Sequence, residues 1–311
     1  MLKQILPILI ILCVHSTLNA QDNEIDSLQN HIRSLPEDTQ RVDEVLTLSS
    51  LYFGLAPSKA IVVAENAKRL ATKIDYPKGA AYALKNIGIA YYYQGETVEA
   101  LSTWEKSLSV FDSIKNQAGV ANLLSNIGAI YYNEGSYNKA LDYYLRSLKV
   151  SEEINDTLRI VTALTNIGAV YVDKKATLDK ALEYSIKALE LSELIDEKDA
   201  IATSSVNIGE IYLERNNPEK ALEYFQRSIE AMERTDGIIY VMISISKVYT
   251  MRKEYQKALE KLDEALEIAD QLNAKPNKSH ALYEKAVVYG HLSNLQGSIK
   301  FYRQTIALAE E

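Results

Sequence analysis

The chain has 311 residues but a single cysteine, Cys13, which lies in an apolar segment near the N-terminus. One cysteine closes no intramolecular disulfide, so the fold must be stabilised by apolar burial. Histidine is also scarce, since no two of the four histidines have the one-turn spacing of a helical metal site. We therefore expect no disulfide, no metal site and no cofactor.

Sequence motifs of catalysis are missing as well. The chain contains no Gly-x-Ser-x-Gly, no phosphate-binding Walker loop and no dinucleotide-binding glycine fingerprint. It has 34 Lys and Arg against 42 Asp and Glu, a formal charge of −8, and no Lys/Arg-rich stretch. Nucleic acids require a positive protein surface because of their phosphates. These absences predict a protein that is not an enzyme and does not bind nucleic acid.

Proline is rare, and its positions are informative. Proline is tolerated at helix starts and in loops, because it lacks a backbone N–H and clashes inside a helix. Outside the first ten residues, each proline falls at a predicted helix start or in a predicted loop: Pro36, Pro57, Pro77, Pro218 and Pro276. No stretch shows the sustained alternation of apolar and polar residues that is typical of a strand. The chain is therefore predicted to be all-α.

Long apolar runs are confined to the N-terminus. Lys3 precedes an apolar run over residues 5–14, which is followed by residues 15–20 and then by a polar segment. This order is typical of a secretory signal, and we expect residues 1–20 to be a signal peptide cleaved after Ala20. The run is too short to span a bilayer comfortably. We predict an exported chain, periplasmic or extracellular, whose mature form does not span the membrane.

A repeated tripeptide is the most prominent feature that the chain does contain. Asn-Ile-Gly occurs at residues 86–88, 126–128, 166–168 and 207–209, at intervals of 40, 40 and 41 residues. A tyrosine follows each glycine by three positions, and an alanine follows each tyrosine by nine or ten. A period of this size is the signature of a solenoid, whose units bury their apolar faces on one another.

Within one copy, the small and large residues fit two packed helices. Leu84, Gly88 and Tyr91 share one face of a first helix, and Ala100 and Trp104 share one face of a second helix. We expect the glycine and the alanine to let the two helices approach closely. The aromatic rings are expected to fill the space beside that contact.

These columns resemble the tetratricopeptide repeat, whose pattern combines Leu-Gly-x2-Tyr with Ala-x3-Phe. Here Ile87-Gly88-x2-Tyr91 and Ala100-x3-Trp104 take those places. The terminal proline column is missing and the period is longer than usual, as in the long-helix variety of the family. The resemblance implies an α-solenoid, a right-handed superhelix of about seven helical hairpins.

The mature chain divides into a capping segment and the repeat array. Residues 21–35 are predicted to form an amphipathic capping helix with a polar outer side. Residues 36–311 are predicted to form the array, with repeats at about 36–75, 78–115, 118–155, 158–196, 199–235, 238–272 and 278–311. The last helix keeps the apolar residues Phe301, Tyr302 and Leu308. We expect self-association or a partner there, unless the chain is a shortened relative of a longer protein.

The asparagine of each tripeptide is the main binding candidate. Asn86, Asn126, Asn166 and Asn207 lie on four successive first helices, which line the concave surface in tetratricopeptide proteins. A ladder of amides would hold an extended peptide backbone, because an amide both donates and accepts hydrogen bonds. The alternative is that each asparagine ties neighbouring helices together, and the sequence leaves both open. The side chains expected beside the ladder in the groove are Tyr82, Lys85, Tyr93, Asn122, Asn133, Thr162, Thr203 and Glu210.

A partly polar groove without a Lys/Arg cluster fits a polypeptide better than a nucleotide or a lipid. We therefore predict a non-enzymatic scaffold that binds a protein or a peptide. The alternative is a sensory or regulatory module, because exported repeats of this type resemble the extracytoplasmic part of bacterial signalling proteins. Such a module would act with a separate membrane or output partner. The histidines near the C-terminus, His280 and His291, are expected to lie on the surface or in the groove.

Overall fold

The computed structural model describes residues 24–173, 177–232 and 235–310, and these residues form helices joined by short turns, without a strand. The predicted all-α class is therefore confirmed. The predicted signal peptide, residues 1–20, lies outside the described residues. No helix in the described part of the chain is long and apolar enough to cross a membrane.

The described helices pack as consecutive hairpins. The chain divides into two compact units, Met1–Asn155 and Asp156–Glu311, and α1 to α7 belong to the first unit. The helices are α1 (24–34), α2 (Thr39–Leu51), α3 (Pro57–Lys73), α4 (Pro77–Tyr93), α5 (Thr97–Ser113), α6 (Gln117–Asn133), α7 (Tyr137–Glu153), α8 (Thr157–Asp173), α9 (Leu178–Leu194), α10 (Lys198–Glu214), α11 (Pro218–Ala231), α12 (Thr235–Met251), α13 (Tyr255–Gln271), α14 (Lys275–His291) and α15 (Leu295–Glu310). Each even-numbered helix from α2 onward packs on the helix that follows it, which gives the seven hairpins expected.

Most of the described turns share one hydrogen-bonding pattern, although the turn after α2 has no left-handed residue. After α4, Gly95 has a positive φ of 78°, its N–H donates to the carbonyl of Tyr92 at 3.0 Å, and the N–H of Glu96 donates to Tyr91 at 2.9 Å. These two bonds satisfy carbonyls that the end of a helix leaves without partners. The turn after α5 has the same pair of bonds although its left-handed residue is Lys115, with a φ of 55°. Turns within a hairpin and turns between hairpins are therefore closed in the same way.

The glycine column provides space for a side chain of the second helix. A Cβ on Gly128 would lie 2.7 Å from Cε1 of Tyr144, so the ring lies directly on the glycine and not beside the contact as expected. Among the four hairpins that carry this glycine, the fourth differs, because Ser185 stands where the other three have Trp104, Tyr144 and Phe225. There, backbone atoms of α9 come within 3.6 and 3.7 Å of the Cβ position of Gly168. Among these four hairpins, the close approach of the two helix backbones is thus a property of the fourth.

A second aromatic contact recurs within the hairpins. The rings of Tyr131 and Tyr143 stack at 5.5 Å, and Nζ of Lys139 lies 4.9 Å from the centroid of Tyr131. Aromatic stacking and cation–π contacts each add to the stabilisation that burial provides. The same stack occurs between Tyr171 and Tyr184, between Tyr212 and Tyr224, and between Tyr289 and Phe301. The tyrosines of the repeat therefore join the two helices of a hairpin.

The two ends of the array differ in how they bury apolar residues. Helix α1 lies within the predicted capping segment and packs Ile25 and Ile32 against Leu48. Helix α15 instead exposes apolar side chains. Phe301, Tyr302 and Leu308 are all half-buried, and the Phe301 ring stacks on Tyr289 at 5.2 Å, so a partner at this helix stays a prediction. The exposed apolar residues of this helix are Leu295 (71%), Ile299 (52%) and Ile306 (57%).

Candidate binding face of the first helices

The first helices of the hairpins contact one another within each unit and form a surface that we call the first-helix face. In the first unit α2 contacts α4, and in the second unit α8 contacts α10, α10 contacts α12 and α12 contacts α14. The predicted groove residues all lie on α4, α6, α8 and α10. Those on α4 and α6 belong to the first-helix face of the first unit, and those on α8 and α10 belong to that of the second unit.

Two members of the asparagine column hydrogen-bond to the preceding first helix. Nδ2 of Asn86, a buried residue, donates to the carbonyl of Leu46 at 3.0 Å, and Nδ2 of Asn207 donates to the carbonyl of Thr165 at 3.2 Å. These bonds are the ones that the structural alternative predicts. Each of these bonds uses one of the two Nδ2 hydrogens, so a ligand backbone at these two positions would meet Oδ1 and the second Nδ2 hydrogen. The column is thus at least partly a link between helices, and ligand binding by it stays a prediction.

Asn86→Ala is expected to lower the free energy of unfolding by about 1–2 kcal/mol, because the bond to Leu46 is lost inside the protein. Urea denaturation followed by circular dichroism measures this change. Gln304→Ala is the matched control, since it removes an exposed side-chain amide from α15. Equal midpoints for the two variants would show that the bond to Leu46 contributes nothing to stability.

A cleft of about 390 Å³ lies among α1, α2 and α3, and a second cleft of about 370 Å³ opens on the first-helix face between α2 and α4. The second cleft brings together two predicted site residues, Tyr82 and Asn86. Its other lining residues are Asp43, Leu46, Thr47, Ser50, Tyr76 and Lys78. Aromatic rings, hydroxyls and one amide thus surround an open space of a size that fits one or two amino-acid side chains.

The tyrosines of this cleft are held in place by neighbours. The hydroxyl of Tyr76 donates to the carboxylate of Asp43 at 3.3 Å, and burial together with that carboxylate raises the pKa of Tyr76. Tyr82 packs its ring edge-on against Phe111 at 4.9 Å, and Nζ of Lys85 lies 5.6 Å from the Tyr82 ring. The cleft therefore presents oriented, neutral phenol groups, with Lys85 beside one of them.

Aromatic residues also gather where the first helices end. The ring of Tyr93 is 57% exposed and stacks on Phe53 at 6.2 Å. Nδ2 of Asn133 donates to the hydroxyl of Tyr92 at 2.5 Å, so it links α6 to α4. The structure thus brings two predicted groove residues, Tyr93 and Asn133, to one aromatic rim at the same end of the face.

The remaining predicted residues differ in how exposed they are and in which of their polar atoms a ligand could reach. Thr162 and Thr203 are exposed, and their hydroxyls donate to carbonyls of their own helices at 2.9 and 2.8 Å. Asn122, Asn126 and Asn166 are half-buried. The threonine oxygens therefore stay open as acceptors, while their hydrogens are used within the helix.

The structure also shows a cluster of polar side chains on α10, α12 and α14 that the Asn-Ile-Gly motif did not predict. Ser244 and Glu284 occupy the asparagine column in the last two hairpins, five residues before Tyr249 and Tyr289. The Asn-Ile-Gly signature ends at residue 209, but counting back from these two tyrosines would have found both positions. Oε1 of Glu210 accepts hydrogen bonds from Ser244 at 2.5 Å and from Tyr240 at 3.3 Å. Here Ser244, in the position of the asparagine, links α12 to α10 by a hydrogen bond between two side chains.

The carboxylate of Glu284 has a perturbed pKa. Burial alone would raise the pKa, but the interactions with His280 and Lys247 outweigh burial and lower the pKa of Glu284. Its Oε1 lies 3.6 Å from Nε2 of His280 and 3.6 Å from Nζ of Lys247. Glu284 therefore stays ionised, with Lys247 of α12 and the imidazole of His280 of α14 beside it. In the described part of the chain, no group of three His, Cys, Asp or Glu side chains is placed to hold a metal ion.

Comparison with known proteins gives both a family and a fold. A family model described as tetratricopeptide repeat matches residues 79–153, 119–176, 159–234 and 238–311. No curated protein matches the chain. Among solved structures, the Rap conjugation gene regulator of the plasmid pLS20 in complex with the Phr* peptide has a TM-score of 0.64 to this chain. The two are 17% identical, over 89% of this chain and 78% of the regulator.

Two further solved structures match almost the whole chain. A Rap protein complexed with Competence and Sporulation Factor has a TM-score of 0.60 at 15% identity, over 96% of this chain and 97% of that protein. The apo form of the quorum sensor NprR from B. thuringiensis has a TM-score of 0.57 at 17% identity, over 95% of each chain. At identities this low, the likeness shows a shared fold.

Proposed function

We propose, since the chain belongs to the tetratricopeptide repeat family, that it is a non-enzymatic scaffold of the periplasm or cell exterior that binds a polypeptide along its first-helix face. The observation that carries this proposal is the open cleft between α2 and α4. Its phenol, hydroxyl and amide groups suit the carbonyls, N–H groups and apolar side chains of a peptide. One protein of the same fold is in complex with the Phr* peptide and another with Competence and Sporulation Factor, which supports a polypeptide ligand.

A blocking substitution tests the cleft directly. A randomised heptapeptide library is selected on the immobilised chain, and the affinity of a selected peptide is then measured by calorimetry. Thr47→Trp places a large ring in the cleft and is expected to weaken binding at least about tenfold, because the space for the ligand is filled. Thr72→Trp is the matched control, since Thr72 is an exposed threonine of α3 outside the cleft.

Two results would contradict the proposal. The first is a library that yields no binding peptide. The second is a selected peptide that binds the two tryptophan variants equally well. Export is tested separately, by fractionating the native cell and measuring the N-terminus of the chain by mass spectrometry. The proposed location requires a mature chain that begins at Gln21, outside the cytoplasm.

A sensory or regulatory role is the second candidate. The quorum sensor NprR shares the fold over 95% of this chain, and a tetratricopeptide repeat sensor of a signal-transduction ATPase from Pyrococcus horikoshii shares it over 94%. In this role, the peptide-bound chain would contact a separate membrane or output partner. A partner that binds the chain only together with the selected peptide would favour this role over a constitutive scaffold.

The exposed apolar residues of α15 carry the self-association part of the proposal. We expect the chain to dimerise through this helix, because Ile299 and Ile306 lie on one exposed face. Light scattering should show a dimer for the native chain and a monomer for Ile299→Glu/Ile306→Glu. Leu194→Glu is the control, since Leu194 is 77% exposed on α9. If the native chain is monomeric at high concentration, the prediction of a dimer is wrong.

A further inference from the structure

The side chains of the α10–α12–α14 cluster give the first-helix face of the second unit a different chemistry from the cleft of the first unit. Glu210 lies on α10, Tyr240 and Ser244 lie on α12, and Tyr283 and Glu284 lie on α14. All of them belong to first helices that contact one another. Carboxylates and aromatic rings therefore meet on one continuous surface.

The carboxylate of Glu210 is held in a fixed orientation. Both hydrogen bonds to its Oε1, from the hydroxyls of Ser244 and Tyr240, come from the neighbouring helix α12. Two bonds to one oxygen leave Oε2 available to a ligand. A carboxylate fixed by the fold binds a partner with a smaller loss of side-chain entropy than a freely rotating one.

The carboxylates of Glu210 and Glu284 differ in the neighbours that contact them. Glu284 has two positively charged or chargeable neighbours, Lys247 and His280, each at 3.6 Å. The groups that donate to Glu210 are neutral hydroxyls. The face therefore carries a negative charge at Glu210 that its own hydrogen bonds orient but do not neutralise.

Aromatic surface is available next to this carboxylate. Tyr240, whose hydroxyl donates to Glu210, is 42% exposed, and its ring centroid lies 6.4 Å from that of His280. A carboxylate beside a partly exposed aromatic ring is the combination that binds a guanidinium or an ammonium group, through an ion pair and a cation–π contact.

We propose that Glu210 and Tyr240 form a subsite for a positively charged side chain, Arg or Lys, of the bound polypeptide. This inference rests on the proposed peptide-binding function and specifies the chemistry of its ligand. Charge complementarity determines the occupant, because a cation gains from the fixed carboxylate and an acidic side chain would be repelled. The subsite selects which peptide binds, and the cleft between α2 and α4, which belongs to the first unit, is a separate contact.

The test uses the peptides selected on the native chain from the randomised heptapeptide library. We expect Lys or Arg to be enriched at one position of these peptides. A synthetic peptide with Arg at that position is compared with the same peptide carrying citrulline, which keeps the shape of the side chain and removes its charge. The Arg peptide should bind about tenfold more tightly, and added salt should reduce the difference.

Glu210→Gln is the matching change in the protein. The glutamine keeps an oxygen that accepts from Ser244 and Tyr240, so the fold is preserved, and melting curves verify this. The variant should lose the preference for Arg over citrulline. Glu190→Gln, which removes an exposed carboxylate from α9 in the same unit, should keep that preference.

The outcomes separate this inference from the proposed function. Selected peptides without a basic position, or an Arg preference that survives in Glu210→Gln, would overturn the subsite while peptide binding stands. Such a result would mean that Glu210 acts only as a link between α10 and α12. A library without any binding peptide would overturn the proposed function and the subsite together.

Discussion

Gly128→Leu is expected to lower the free energy of unfolding by about 3 kcal/mol or more. A Cβ at this position would already lie 2.7 Å from Cε1 and 2.8 Å from Cδ1 of the Tyr144 ring. Tyr144 is buried between the two helices of its hairpin, so its ring has little space to move. The whole side chain of leucine would force α6 and α7 apart. Urea denaturation followed by helical circular dichroism measures the loss.

Two further variants make this experiment specific to the contact. Gly54→Leu introduces the same side chain where a Cβ meets nothing within 4 Å, and should change stability by less than about 0.5 kcal/mol. Tyr144→Ala opens space opposite Gly128, so adding it to Gly128→Leu should restore part of the lost stability. If Gly128→Leu and Gly54→Leu unfold at the same urea concentration, the assignment of a tight contact is wrong.

Phe225→Ala is expected to cost about 3–5 kcal/mol, the range for removing a fully buried aromatic ring. Phe225 has no exposed surface, and a Cβ on Gly209 would lie 2.5 Å from its Cε1. The ring also belongs to the buried cluster that joins α10 and α11 to α12. Its removal therefore leaves a cavity that touches two hairpins.

The comparison for this variant is Phe53→Ala, because Phe53 is only half-buried and stacks on the exposed ring of Tyr93. That substitution should cost about 1 kcal/mol. Thermal melts of both variants provide the measurement. A similar small loss in the two would show that the Gly209–Phe225 contact does not hold the fifth hairpin together.

The fold was predictable because the residues that build it are the ones that repeat. Gly128 and Tyr144 recur as glycine and large side chain in other hairpins, so the period alone indicated paired helices. The Glu210 cluster was not predictable from the motif, since Ser244 and Glu284 replace the asparagine in the last two hairpins. What a column residue binds depends on the neighbouring helix, which a repeat pattern does not describe.

The candidate site was also predicted from the sequence only in part. The sequence placed Asn86 on the first-helix face, but its hydrogen bond to Leu46 depends on the distance between α2 and α4. In α15 the sequence could not tell which apolar residues are covered. Phe301 packs inside its hairpin because it is the partner of Tyr289, while Ile299 lies on the open side. Burial of this kind follows from packing geometry and not from residue type.

The equal helix lengths and the shared hydrogen bonds of the turns after α4 and α5 bear on how such a chain can change in evolution. Helices α3 to α10 each have 17 residues. The turns after α4 and α5 carry the same pair of hydrogen bonds whether the left-handed residue is Gly95 or Lys115. A duplicated or deleted gene segment that encodes one hairpin would therefore meet the same junction on either side. The number of hairpins can change by whole units, while point substitutions on the first helices alter what each unit recognises.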